Sequence, residues 1–160
     1  MPLIASWPGR VPAGRVNGDL VASVDFLPTL CATAGVPVPA GLDGVSFLPQ
    51  LRGEPGTPRE AYYVWYSRNG GPKATFEYAQ GRTHKLYRDG RFFDLGRDPF
   101  EERPLPAAEL AGPAATARAR LQAELDRYAQ ARPPHVANHP VSAASKGGEG
   151  AGGGTKSGRK

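Results

Sequence analysis

The chain has 160 residues, 39% of them hydrophobic, with 21 glycines, 17 prolines and a formal charge of +5. That length allows one ordinary domain or part of a larger one, and the composition suits a loop-rich α+β segment with a modest core. No apolar run approaches the roughly 20 residues of a spanning helix, so no membrane span is expected, and the single Cys31 excludes an internal disulfide framework and a multi-cysteine metal site.

The opening "PLIASW", Pro2 to Trp7, is a short apolar run expected to form a buried strand closed by the Pro8-Gly9 turn. "MPLIASWPGRVPAG" has no basic leader and is not expected to act as a signal peptide, which leaves localisation open. A buried strand without cap or lead-in is unusual, and it suggests that something precedes it in a longer protein. Next, in "DLVASVDFLPTLCATAGV", Leu27, Leu30, Cys31 and Ala34 fall on one helical face. Pro28 belongs in a first helical turn, which puts Asp25 near the N-cap, ready to accept a free backbone N–H. Gly35 suits the C′ position. A short second helix, "SFLPQLRG", is expected after "LDG", with Ser46 as its cap.

From Ala61 the period changes. "AYYVWY", "ATFEYA", "HKLYR" and "RFFDL" are aromatic and β-branched segments that predict an antiparallel sheet of about four strands. Asp89-Gly90 predicts a two-residue type I′ hairpin turn between the last two. A helix from about Pro113 to Ala131 follows, with an apolar stripe of Ala114, Ala117, Leu121, Leu125 and Tyr128 set to cover one face of the sheet. The remainder, 133–160, is Gly/Ser/Lys-rich and is expected to be disordered. It holds Lys146, Lys156, Arg159 and Lys160 against Glu149, so most of the net charge sits there. Without interleaved aromatics it reads as a solubilising extension, and no specific nucleic-acid partner is expected.

Several residues could carry chemistry. Asp94, Asp98, Glu101 and Glu102 cluster as hard-cation ligands do, but their spacing fits no calcium loop and Asp98-Pro99 is a turn starter, so the acids are expected to be solvated around a turn. His135 and His139 have a metal-like spacing among prolines that oppose a helix. Cys31, on the buried helix face, reads as a core thiol. The loop "YSRNGGPK" sets Arg68 and Lys73 around Asn69-Gly70-Gly71, where backbone N–H groups and two cations could meet an oxyanion, or simply connect two strands. Alternation puts His84 and Lys85 on opposite faces of their strand, so at most one looks into any given pocket.

In combination these segments closely resemble the C-terminal third of the sulfatase family, the arylsulfatase-A-like enzymes of the alkaline-phosphatase-type α/β fold. The resemblance rests on Trp7-Pro8-Gly9, on Asp25 with Pro28-Thr29-Leu30 and Ala34-Gly35, on Leu42-Asp43-Gly44 with Ser46, Pro49 and Leu51, and on "HKLYRDGRFFDLGRDPFEERPL". In that last segment His84 and Phe93 stand where the family pattern has tyrosine. The resemblance implies an α+β fragment of an α/β parent. Residues 1–56 would end the catalytic domain, with one strand and one helix from its sheet. Residues 57–132 would be an antiparallel-sheet-plus-helix subdomain, followed by the tail 133–160.

The parent family hydrolyses sulfate esters with a formylglycine made in a C/S-x-P-x-R motif and a divalent cation, usually calcium. This sequence has no C-x-P-x-R, no Asp-Asp pair and no D-N-G or D-H-G, and Cys31 is followed by Ala-Thr-Ala. The resemblance therefore implies no catalytic residue, no metal site and no cofactor in this chain. It implies a sulfated small molecule or glycan as the parent's substrate, with Arg68, Asn69, Lys73 and His84 as contacts to it, and a missing N-terminal catalytic portion as partner. The alternative is a free-standing, non-enzymatic binding module that uses its aromatic sheet.

Overall fold

The computed structural model describes residues 3–67 and 75–132. The loop 68–74 and the segment 133–160, with His135, His139 and the basic tail, lie outside the described residues.

Segment 3–7 does not form the expected strand: it lacks regular structure, and Ile4 is 91% exposed. A strand exists only beside a partner that takes its backbone hydrogen bonds, and among the described residues no strand lies alongside it. The chain turns at Trp7, whose carbonyl accepts the N–H of Arg10 and Val11.

Helix α1, Phe26–Ala34, follows a 3₁₀ turn at Ser23–Asp25 and ends in Gly35 at φ +67°, the left-handed C′ position expected from the sequence. Asp25 does occupy the N-cap, but its carboxylate makes no bond to the first turn of α1. It reaches back to the N–H of Ala22 and across to that of Val45, each at 2.8 Å. The preceding 3₁₀ turn places the side chain beside these other donors. Helix α2, Leu48–Arg52, carries Pro49 in its first turn and closes at Gly53. The N-cap is Phe47 rather than the expected Ser46; Ser46 Oγ accepts the Leu48 N–H at 3.3 Å from one residue further back, because the helix starts later than expected.

Four strands, β1 Tyr62–Ser67, β2 Thr75–Gln80, β3 His84–Tyr87 and β4 Phe92–Asp94, form one antiparallel sheet in the order β1-β2-β3-β4. Registers such as Tyr63↔Ala79, Ala79↔Leu86 and Leu86↔Phe92 line up one face, while Tyr62, Tyr78, Lys85 and Phe93 share the other. The β3–β4 connection is not a type I′ turn. Gly90 N–H bonds Tyr87 O and Tyr87 N–H bonds Arg91 O, and of the central residues only Gly90, at φ +93°, has positive φ. This is the three-residue loop in which a type I turn is followed by a left-handed glycine. Arg88 thereby becomes a loop residue whose side chain is free to turn toward the helix.

Helix α3, Gly112–Arg127, lies on the Ala79 face. Leu121 and Leu125 meet Ala79, Leu86 and Phe92 to close the core, with Ala114 and Ala117 packed against it. Tyr128 stacks on Tyr63 at 4.6 Å between ring centroids. Each fully buried Leu or Phe here contributes about 1.5–3 kcal/mol relative to exposure. The helix stops at Arg127, short of the expected Ala131, because its last turn tightens: Tyr128 N–H bonds Leu125 O and Ala129 N–H bonds Asp126 O.

Candidate functional site

Of the four residues expected to meet a substrate, Arg68, Asn69 and Lys73 lie outside the described residues. His84 opens β3 on the same sheet face as Phe92, on whose ring it stacks at 5.1 Å and 7°. Its Nδ1 is 2.8 Å from Thr83 Oγ1. The imidazole is half-buried at the sheet's end and held from two sides, which fixes its direction.

Lys85 takes the opposite face, as alternation requires. Its Nζ lies 2.7 Å from Glu101 Oε1 and 4.0 Å above the Tyr78 ring centroid, and Glu101 Oε2 accepts the Tyr87 hydroxyl at 2.6 Å. Glu101 is therefore not the solvated acid expected. Its backbone adopts φ +58°, the one positive value among the described non-glycine residues, which lets the chain turn inward and lay the carboxylate on the sheet. A non-glycine residue in this region is uncommon, and here a charge-assisted pair accompanies it. Burial and this neighbouring carboxylate push the Tyr87 phenol well above its ordinary range.

The other acids of that segment bond backbone. Asp94 accepts the N–H of Gly96 and Arg97. Asp98 accepts those of Arg103 and Glu102, and these two bonds hold its carboxyl below the usual range. Among the described residues no group of three or more His, Cys, Asp or Glu side chains could hold a metal ion. The acids' engagement with backbone and cations does not fit a calcium site. Cys31 is a buried thiol.

Two buried ion pairs were not legible as sites. At the first, Asp25 accepts Arg59 Nε at 2.9 Å, and Arg59 also donates to the carbonyls of Asp43 and Ala61. Burial alone would raise the Asp25 carboxyl; the Arg59 guanidinium and the N–H groups of Ala22 and Val45 outweigh it and hold the group below its ordinary value. Thr29 Oγ1 donates to Asp25 O and accepts Phe47 N–H at 3.0 Å, so the D-x-x-P-T spacing pins the 43–48 loop to α1. Gly44 is required there, since a Cβ would sit 2.0 Å from Val24 O. At the second pair, fully buried Glu77 accepts Arg88 Nη2 at 2.8 Å and the Tyr63 hydroxyl at 3.0 Å, and faces Arg132 Nε at 3.4 Å. A lone acid inside an aromatic strand was the available signal for it. Arg59 gave none.

A D-x-x-P-T helix pinned to an L-D-G loop, feeding a helix-backed antiparallel sheet, is the arrangement that the resemblance to sulfatases implies. The chain belongs to the sulfatase family described as N-sulphoglucosamine sulphohydrolase, C-terminal, whose model matches residues 1–127. It is 32% identical over 127 residues to human arylsulfatase A, covering 62% of this chain and 25% of the relative. It is 33% identical over 137 residues to N-acetylgalactosamine-6-sulfatase of Canis lupus familiaris, covering 67% and 26%. A solved structure described as "in complex with its substrate D-Glucosamine-2-N, 6-O-disulfate" superposes with a TM-score of 0.53 at 26% identity, over 65% of this chain and 24% of that one. The chain thus spans about a quarter of the length of the curated relatives it matches.

Proposed function

We propose that this chain is the non-catalytic, substrate-facing end of a sulfatase that acts on sulfated glycans. The carrying observation is that this chain spans about a quarter of the length of these relatives and its own sequence contains no C-x-P-x-R. The described residues also offer no cluster of metal ligands. The nucleophile and the cation site would then belong to a catalytic portion supplied by other residues. The sulfated-sugar reading is supported by relatives named N-acetylglucosamine-6-O-sulfatase and Delta 4,5-hexuronate-2-O-sulfatase and by the sulfated glucosamine bound in one similar structure.

In this reading Arg68, Asn69 and Lys73 supply donors from the β1–β2 connection, while His84, held through Nδ1 by Thr83, stands at the opposite end of β2 and would meet a separate part of the substrate. Guanidinium, ammonium and amide groups suit the spread charge of a sulfate ester. The division into 1–56 and 57–132 belongs to the same reading.

The purified 160-residue chain should show no turnover of a chromogenic aryl sulfate with calcium present; sustained turnover refutes the proposal. In an active enzyme assembled from a sulfatase catalytic region and this chain, Arg68→Ala and Lys73→Ala should raise KM for a sulfated sugar at least tenfold with kcat little changed. Each such contact is a charge-assisted bond worth on the order of 1.5–3 kcal/mol. A second reading, a free-standing binding module, is favoured by the closed core of the sheet and α3. It requires a single sharp two-state urea transition for the whole chain.

A further inference from the structure

The two edges of the sheet are finished differently. At β4 the returning chain closes the outer side, where Leu105 N–H bonds Phe92 O at 2.7 Å, and the strand is only three residues long. Short or covered edges are the usual protection against further pairing. Strand β1 lacks such protection along its length. From Ala61 to Ser67 the sequence has no charge, proline or glycine. All six residues of the strand stay in register with β2, from Tyr62↔Gln80 to Ser67↔Thr75, without a bulge. In an antiparallel ladder alternate residues turn their N–H and C=O away from the partner strand. Among the described residues, none from Tyr62 to Tyr66 makes a backbone bond other than those to β2, and the bridge Leu20↔Arg59 stops short of the strand. Tyr62, Tyr63 and Val64 instead border an open groove, and Tyr66 is 46% exposed.

We infer that the free edge of β1 is a self-association surface, on which β1 of a second copy of this chain pairs antiparallel about a two-fold axis. Complementarity sets the occupant. A second β1 presents the same row of outward N–H and C=O groups, and antiparallel pairing satisfies both rows at once. With no charge between Ala61 and Ser67, the pairing brings no like charges face to face. Alternation sets Tyr62, Val64 and Tyr66 of both copies on one face and Tyr63 and Trp65 on the other. Aromatic and β-branched side chains then meet across the seam, a favoured cross-strand combination. Two four-stranded sheets become one continuous sheet, and because β4 is capped, growth stops at the dimer. The pairing does not depend on the function proposed above.

Sedimentation equilibrium on the full 160-residue chain reads the pairing directly. One strand pair is a small interface, so the dimer should dissociate on the order of 10–100 μM, and samples from about 5 to 500 μM should pass from monomer to dimer. Backbone amides of β1 should exchange with deuterium more slowly at the upper concentration. Val64→Lys sets two ammonium groups against each other across the axis and should weaken the dimer on the order of tenfold or more. Mixing it with Val64→Glu should restore pairing between the two variants. Tyr66→Lys, at an exposed position of the same strand, should weaken the dimer in the same direction, and Leu30→Glu, on the exposed face of α1, should leave it unchanged. The Trp65 unfolding transition, followed at the lowest concentration, should match wild type in each variant, which separates lost pairing from lost folding. A wild-type chain that stays monomeric throughout overturns the inference. So does growth beyond the dimer, a dimer indifferent to both lysine variants, or one that Leu30→Glu abolishes. None of these outcomes bears on the aryl sulfate result, so the edge and the proposed function fail separately.

Discussion

Glu77→Ala tests most directly how the sheet unit is held together. The substitution removes the carboxylate that accepts Arg88 and the Tyr63 hydroxyl and faces Arg132, stranding a guanidinium against the core. Breaking a buried pair from one side costs about 3–5 kcal/mol. Arg88 keeps 21% of its side chain exposed, so water partly compensates and the lower end, about 3 kcal/mol, applies. A unit the size of 57–132 holds roughly 4–11 kcal/mol in total, at about 0.05–0.15 kcal/mol per residue, so the loss is a large share of it. With a urea m value of about 1.5 kcal/mol/M, the midpoint should fall by about 2 M. Trp65 lies opposite Glu77 in the β1–β2 register, so its fluorescence in a Trp7→Phe background reports this unit. The double variant Glu77→Leu, Arg88→Met should lose less than the sum of its singles, by on the order of 1 kcal/mol or more. A midpoint shift below about 0.5 M for Glu77→Ala, or strict additivity in the pair, would refute the reasoning.

Three further outcomes follow from the geometry. Gly44→Ala forces a methyl against the Val24 carbonyl and should destabilise the 43–48 loop by about 1–3 kcal/mol, seen as faster limited proteolysis there; unchanged cleavage would contradict the packing. Burial raises the Tyr62 and Tyr128 phenols to about 12. Groups with raised folded values stabilise fully below the unfolded value near 10, and that contribution is lost as pH rises toward 12. Urea midpoints should therefore fall over that window, and Tyr62→Phe should flatten the decline; a flat wild-type profile would count against it. Glu101→Gln leaves the Lys85 ammonium beside a neutral amide and should cost about 1–2 kcal/mol by urea unfolding, whereas a neutral result would mean that Glu101 is solvated in solution.

Much of the architecture could be read from periodicity. Aromatic and β-branched runs placed all four strands, and the Ala114–Tyr128 stripe placed α3 and its buried face, because these segments find their partners within the chain. Pro2–Trp7 and α1 show the converse. Their patterns announce burial, yet Ile4, Leu27 and Leu30 are exposed, and no described neighbour takes the strand's backbone bonds or covers the two leucines. The acidic turn divided along similar lines: Asp98 caps its own turn as a local motif predicts, while Glu101 pairs with Lys85 sixteen positions away, a relation that spacing alone does not encode. The loop Arg68–Lys73 remains a candidate from sequence, and His84 is the member of that set whose surroundings are described.

The Arg59–Asp25 pair carries a lesson for anyone splicing sulfatases. One guanidinium, just ahead of β1, clasps a carboxylate before α1 and the carbonyl of Asp43 in the loop between. A chimaera cut at the tempting seam near residue 57 would separate donor from acceptor whenever the two parents differ there, entombing a lone ion on each side of the graft. Crossovers upstream of Asp25 keep both halves of the clasp together.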